Sequence, residues 1–258
     1  MKGQLDYTVS VVIPTFNRPE QVIRAIESAL SQSHKPIEII VIDDGSYTSF
    51  KKELRSLAKL KKIIFIEFEH TGNPGLLRKV GVEKAKGHWV AFLDDDDFWH
   101  PQKLEAQLRV AEKANVGFLS TLCNSSSITM KSLEFEKIGL KKLTRRSLYR
   151  QNTITNSSVM AKKSLLMSVG GYAHSHLVVG AEDYATWLRL CRVSKHVMIS
   201  EELTFYNNSD SIDHLSKLDT NRFMQYFGLF DYVSWALNNS NSRFVFFRLF
   251  LRLARKFI

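Results

Sequence analysis

Residues 11–32 read VVIPTFNRPEQVIRAIESALSQ, and within this stretch the hydrophobic period changes from that of a strand to that of a helix. The run TVSVVIP at 8–14 is short and rich in β-branched residues, which suits a strand covered on both faces in a parallel sheet. Behind it Val22, Ile26, Ala29 and Leu30 recur at helical spacing over 20–33. Asn17, Pro19 and Glu20 offer that helix a cap, a first-turn proline and a capping-box partner. A buried strand followed at once by an amphipathic helix is the opening unit of a doubly wound α/β fold.

Working outward, IEIIVI at 37–42 and the runs at 63–68 and 89–93 repeat the strand pattern, while 49–60, 76–85 and 101–114 repeat the helical one. The second half is less regular, with helices expected over 162–169, 184–192 and 218–238 and a short strand over 197–200. Between them, 125–156 has a Ser-rich start and a basic middle (Lys141, Lys142, Arg145, Arg146); it reads either as a mobile acceptor loop or as an ordinary solvated segment. With no internal repeat and no clear linker, one domain is expected over 1–238, with a nucleotide-binding half at 1–122 and an acceptor-binding half at 123–238.

A chain of 258 residues with 44% hydrophobic and 24% charged residues can bury a large core, which excludes disordered and fibrous classes. Lysine and arginine outnumber acids 36 to 26, so the surface attracts anions, whether nucleotides, phospholipids or nucleic acid. Cys123 and Cys191 lack metal-ligand spacing and read as buried thiols in a reducing compartment. The polar start of the chain lacks the apolar stretch of a secretion signal, and no window is long enough to cross a bilayer, so a cytoplasmic location is expected.

In open α/β sheets ligands collect beyond the carboxyl ends of the strands. Pro14-Thr15-Phe16-Asn17, Asp43-Asp44-Gly45-Ser46 and Asp94-Asp95-Asp96-Asp97 stand at three such ends. Four consecutive carboxylates repel one another unless a cation sits between them, and hard oxygen ligands shared with substrate phosphates suit Mn2+ or Mg2+. An acidic first turn of the next helix is the plainer account, although four acids exceed what a cap requires. Asp43 to Ser46 reads as a turn, or as a second acidic strand end that accepts hydrogen bonds from a base or ribose.

Taken in order, VVIPTFNRPEQVIRAIESALSQ, EIIVIDDGS, GVEKAKGHWVAFLDDDDFWHPQKLEAQ and GGY followed by EDYATWLRL resemble the family 2 glycosyltransferases of the GT-A fold, over about 70% of the chain. The resemblance implies a Rossmann-like, mainly parallel mixed sheet flanked by helices, a nucleotide-diphospho-sugar donor, a divalent metal and inversion at the anomeric carbon. Carried over by position, Pro14 and Asp44 line the nucleobase pocket together with Thr15 and Phe16. Arg18 reaches the nucleotide and Asp95 faces the ribose. Asp96 binds the metal, and Asp94, first in the DxD pattern, assists the ribose or the metal's water shell. Arg78 stands at the arginine of the family's Ala-Arg-Asn segment, where it would pair with diphosphate or carboxylate oxygens, although its neighbours here are Leu77 and Lys79.

Glu182-Asp183 matches the family's acidic pair, which implies that Asp183 is the general base, with Glu182 the second choice; both acids would also serve as plain helix caps. Gly170-Gly171-Tyr172 resembles the turn that shapes the acceptor side, or a helix C-cap. No Gln-x-x-Arg-Trp segment follows, so addition of a single sugar is expected. After Tyr206, where many relatives have a basic residue and a histidine, this chain reads Asn207-Asn208-Ser209; His214 lies nearby and reads as a surface histidine rather than a ligand.

From 241 the chain reads NSRFVFFRLFLRLARKFI, which places Arg248, Arg252 and Arg255 on one helical stripe and Phe246, Phe250, Leu253 and Phe257 opposite. The basic amphipathic helix expected over 239–258 would lie on the inner membrane surface or dock on the domain. The resemblance implies a UDP-sugar donor, with glucose or galactose the leading hexoses, an undecaprenyl-diphosphate-linked acceptor, and no nucleic acid partner. A nucleotidyltransferase and a non-catalytic nucleotide- or lipid-binding protein are the competing readings; the first lacks a Gly-rich loop at 14–18 to cradle a triphosphate.

Overall fold

The computed structural model describes residues 7–61, 63–124, 132–149, 151–206 and 221–239. The chain alternates β1 (Val9–Thr15), α1 (Pro19–Leu30), β2 (Glu38–Asp43), α2 (Thr48–Lys61), β3 (Ile64–Glu67), α3 (Pro74–Lys84) and β4 (Trp89–Phe92). After β4 come β5 (Asp97–Trp99), α4 (Lys103–Ala114) and β6 (Phe118–Asn124). The remainder comprises β7 (Leu140–Leu143), α5 (Arg145–Leu148), β8 (Met160–Lys162), α6 (Lys163–Ser168), α7 (Glu182–Val193), β9 (His196–Tyr206) and α8 (Asn221–Asn238).

One sheet joins all nine strands in the order β3-β2-β1-β4-β8-β6-β9-β5, with β7 paired to the first half of β9. Six strands run one way, and β5, β7 and β8 oppose them. Alternation along each strand splits the core in two. Val9, Val11 and Ile13 pack beneath α1, α2 and α4, while Val12, Ile40 and Ile42 face α3, α6, α7 and α8. Both faces are therefore apolar, which is why β1 and β2 carry near-continuous hydrophobic runs.

The first half follows the expected order of elements, with three local differences. Asn17 does not cap α1. It adopts a left-handed φ of 53°, and its side-chain oxygen instead accepts the Tyr47 N–H at 3.0 Å, tying the loop after β1 to the loop after β2. Arg18 occupies the cap position without a side-chain hydrogen bond. Helix α3 starts at Pro74 behind Asn73, whose Oδ1 accepts the Leu76 N–H at 3.1 Å, and α4 starts at Lys103 rather than at Pro101.

Strands β5, β6, β7 and β8 carry no pattern that separates them from loop, and β9 is longer than the expected 197–200. Their backbone bonds come from partners distant in sequence, as when β6 pairs with both β8 and β9. The proposed division at 122/123 falls inside β6, so the two halves share one sheet. Residues 207–220 and 240–258, which include His214 and the basic tail, lie outside the described residues.

Gly81 marks the closest approach of α3 to the sheet: a Cβ there would stand 2.3 Å from Val12 Cγ1 and 3.0 Å from Ile42 Cδ1. Gly81→Ala is expected to destabilise the fold by about 1–3 kcal/mol through overpacking, measured by urea unfolding.

Candidate active site

The carboxyl ends of β1, β2 and β4 lie at one end of the sheet, and the four aspartates after β4 take four different environments there. A β-turn, closed by the Asp97 N–H donating to Asp94 O at 3.1 Å, sends successive side chains in different directions.

Asp95 is buried, and its carboxylate accepts Thr15 Oγ1 at 2.8 Å and Arg18 Nη1 at 3.0 Å. Burial pushes its carboxyl up to about 6, against the pull of Arg18 and with a further push from Asp96. Asp96 is more open, its side chain 22% exposed, and Oδ2 accepts the same Arg18 nitrogen at 2.7 Å. Asp94 holds Arg78 Nη2 and Asn156 Nδ2 on one oxygen, Oδ1, each at 2.6 Å. Its backbone N–H donates to Ser157 Oγ at 3.0 Å.

Asp97 points elsewhere. It is buried in β5, pairs with Tyr206 and bonds to Ser157, and burial together with the charges of Asp94 and Asp96 raises its carboxyl well above the ordinary range. It does not start the following helix, which begins six residues later at Lys103.

At the end of β2, Asp43 closes a turn by accepting the Ser46 N–H at 3.0 Å. Asp44 instead reaches across to the loop after β3. Its Oδ1 accepts Thr71 N at 2.8 Å and Thr71 Oγ1 at 2.7 Å, and its Oδ2 accepts Gly72 N at 2.9 Å with His70 Nδ1 at 3.2 Å. The His70 ring stacks on Phe16 with centroids 4.2 Å apart, and Phe16 is 39% exposed. Phe16, Asp44 and His70 thus form one rim beside the acidic turn, while Pro14 is buried in β1.

The acid pair at the start of α7 completes the site. Glu182 is buried, with Oε1 accepting Arg78 Nη1 at 2.8 Å and Oε2 accepting the Gly180 N–H at 2.6 Å. Asp183 is half-buried and has Asn152 Nδ2 at 3.3 Å. Burial first and the Glu182 charge second push its carboxyl up to about 7, opposed by the Tyr184 N–H and by Arg78. A half-buried carboxyl poised near neutrality suits proton abstraction.

Of the two partners expected for Arg78, diphosphate or carboxylate oxygens, the described residues supply the second: it is only 6% exposed, its guanidinium lies 5.4 Å from the Tyr172 ring, and its terminal nitrogens are engaged by Asp94 and Glu182. The C-cap reading of Gly170-Gly171-Tyr172 holds. The glycines, at φ 87° and 78°, cap α6, with Gly171 N donating to Leu166 O at 2.9 Å. Tyr172 then turns into the core, and its hydroxyl donates to Asn156 Oδ1 at 2.8 Å.

Asn156 and Ser157 belong to a 3-10 turn, 156–158, in the segment that reads as least patterned. These polar residues carry no motif, and β8 just after them, Met160-Ala161-Lys162, has no β-branched pattern to announce a strand. His70 was missed for the same reason, being one residue in a polar loop.

Among the described residues no three His, Cys, Asp or Glu side chains converge as a ready-made metal cage. Asp94 Oδ2 and Asp96 Oδ1 nevertheless have no hydrogen-bond partner among the described residues, while the other oxygen of each is pinned by a cation. Two hard carboxylate oxygens on one turn fit a divalent ion that takes its remaining ligands from substrate phosphates and water.

Comparison with known proteins bears on this arrangement. An uncharacterized glycosyltransferase of Rickettsia bellii is 29% identical over 241 residues, covering 91% of this chain and 33% of that protein. The Escherichia coli UDP-Glc:alpha-D-GlcNAc-diphosphoundecaprenol beta-1,3-glucosyltransferase WfgD is 27% identical over 187 residues, covering 72% of this chain and 71% of its own. The chain spans a third or less of the length of the three Rickettsia relatives from R. bellii, R. felis and R. conorii.

Among solved structures, S. aureus TarS 1-349 in complex with UDP-GlcNAc superposes with a TM-score of 0.71 at 18% identity, over 90% of this chain and 67% of that one. The mannosyltransferase PcManGT of Pyrobaculum calidifontis, in complex with GDP-Man and Mn2+, gives 0.64 at 16% identity over 90% of this chain and 65% of its own. These likenesses establish the GT-A fold. Residues 10–167 match the family model described as Glycosyl transferase family 2. The chain belongs to glycosyl transferase family 2.

Proposed function

We propose that the chain transfers a single hexose, with inversion, from a UDP-sugar to a lipid-diphosphate-linked saccharide. The observation that carries this reading is the arrangement of two acidic centres joined through Arg78: a turn with two unengaged carboxylate oxygens on one side and Asp183, poised near neutrality, on the other. Family membership sets aside the nucleotidyltransferase alternative.

On this reading Pro14 and Phe16 hold the nucleobase against the rim that Asp44 orders through residues 70–72. Thr15 and Arg18 keep Asp95 oriented toward the ribose. Asp96, with Asp94, would hold a Mn2+ or Mg2+ ion, which when bound neutralises charge developing on the departing diphosphate. Arg18, its side chain a third exposed, can exchange a carboxylate for a phosphate oxygen and so adds a second positive group there. Asp183 takes the acceptor hydroxyl's proton as that oxygen attacks the anomeric carbon from the face opposite the leaving group. Glu182, engaged by Arg78 and the Gly180 N–H, is the poorer base of the two.

The lipid-linked acceptor is drawn from the relatives WfgD and WfaP of E. coli, whose names specify GlcNAc-diphosphoundecaprenol. Membrane contact through the basic tail is proposed on sequence alone, and a cytoplasmic enzyme on the inner membrane face would fit it. No described helix is long and apolar enough to cross a membrane.

Thermal unfolding tests the donor assignment. UDP with Mn2+ at a hundredfold excess over its dissociation constant should stabilise the protein by about 2.7 kcal/mol. GDP with Mn2+ should do less; equal stabilisation by GDP would contradict the uridine preference.

A further inference from the structure

Arg78 belongs to α3, a helix that carries neither the acidic turn nor the candidate base, yet its guanidinium joins the two. Nη2 meets Asp94 Oδ1 at 2.6 Å and Nη1 meets Glu182 Oε1 at 2.8 Å, with the Tyr172 ring alongside. The packing holds this geometry in place. Gly75, one turn earlier, lets α3 approach α7 so closely that a Cβ there would stand 2.3 Å from Ala173 O and 3.0 Å from Glu182 Cβ. Each carboxylate is also gripped from a second side, Asp94 by Asn156 Nδ2 and Glu182 by the Gly180 N–H. Neither acid can turn without breaking a buried hydrogen bond, and the guanidinium between them cannot follow one without leaving the other.

We infer that Arg78 is a positioning residue for transfer: by clamping Glu182 and Asp94 it removes Glu182 from the chemistry and sets the charge that Asp183 experiences. The inference rests on the reading of Asp183 as the base.

The groups around Asp183 come from five elements. Glu182 lies beside it on α7 and Asp94 on the turn after β4; both are negative and favour its protonated form. Arg78 on α3 is positive and opposes them. Asn152, from the segment before the 3-10 turn, is a neutral donor, and Tyr172, after α6, contributes its hydroxyl to Asn156. Removing the Arg78 charge leaves two carboxylates uncompensated and raises the Asp183 midpoint. Removing the Glu182 charge lowers it, and removing both largely cancels.

The experiment is a carboxyl 13C NMR titration of the full chain, with the Asp183 signal assigned by its loss in Asp183→Asn. Arg78→Gln should move the midpoint up by about one pH unit, Glu182→Gln should move it down by a similar amount, and the double variant should return it near the parent value. Shifts of the same sign in the two single variants, or no shift, would overturn the inference. Should Arg78→Gln not fold, Glu182→Gln decides alone, and an unmoved midpoint there has the same meaning. The underlying reading fails separately: an Asp183→Asn protein that still transfers sugar sinks the base assignment whatever the titrations show.

Discussion

Asp183→Asn lowers the transfer rate by roughly a hundredfold to ten-thousandfold, the contribution typical of a positioned general base. Asparagine keeps the shape of the side chain and can still meet Asn152, but it has no carboxylate to receive the acceptor proton. Because Asp183, among the described residues, bonds to Asn152 and the Tyr184 N–H and to none of Phe16, Asp44 and His70, nucleotide affinity should change little. The loss therefore falls on kcat, and thermal stabilisation by UDP with Mn2+ should persist. In the parent the rate should rise with pH through about 7, since the base works deprotonated and burial beside Glu182 holds its carboxyl that high. An Asp183→Asn enzyme with the parent kcat would remove the base from the mechanism.

Asp96→Ala should cost roughly a hundredfold or more in metal-dependent turnover, several kcal/mol of electrostatic stabilisation of the departing diphosphate. The same substitution should not lower the melting temperature. Asp96 is more open than Asp95 and Asp97, and its charge raises the carboxyls of both. Removing it relieves repulsion around two buried groups while leaving Arg18 with Asp95 as partner. Activity and stability thus move in opposite senses, which separates a ligand from a structural acid. A variant that keeps its manganese dependence and its rate would exclude Asp96 as a ligand.

The remaining aspartates show what a motif conveys and what it omits. As sequence, Asp94 to Asp97 is a block of negative charge at a strand end. In the fold, the β-turn separates the four into a carboxylate clamped by Arg78 and Asn156, a buried one held by Thr15 and Arg18, a partly exposed one and a second buried one committed to β5. The Glu182-Asp183 pair is divided in the same way, because Arg78 and Gly180 take up one member and leave the other poised.

By itself the sequence determined the strand and helix order through β4, the carboxyl-end location of the acidic motifs and the family motifs. Each of these depends on local periodicity or on residues adjacent in the chain, as in 8–33, where a β-branched run passes directly into helical spacing. Tertiary structure alone decided the partners of those residues. Asn156 reaches Asp94 across 62 positions and Arg78 reaches Glu182 across 104. Strands β5 to β8 likewise exist only because a neighbour supplies their hydrogen bonds, and a short strand carries no period strong enough to announce that neighbour. Charge distribution in the site is therefore a property of the fold: burial and long-range ion pairs set which acid is neutral, which is held and which can accept a proton.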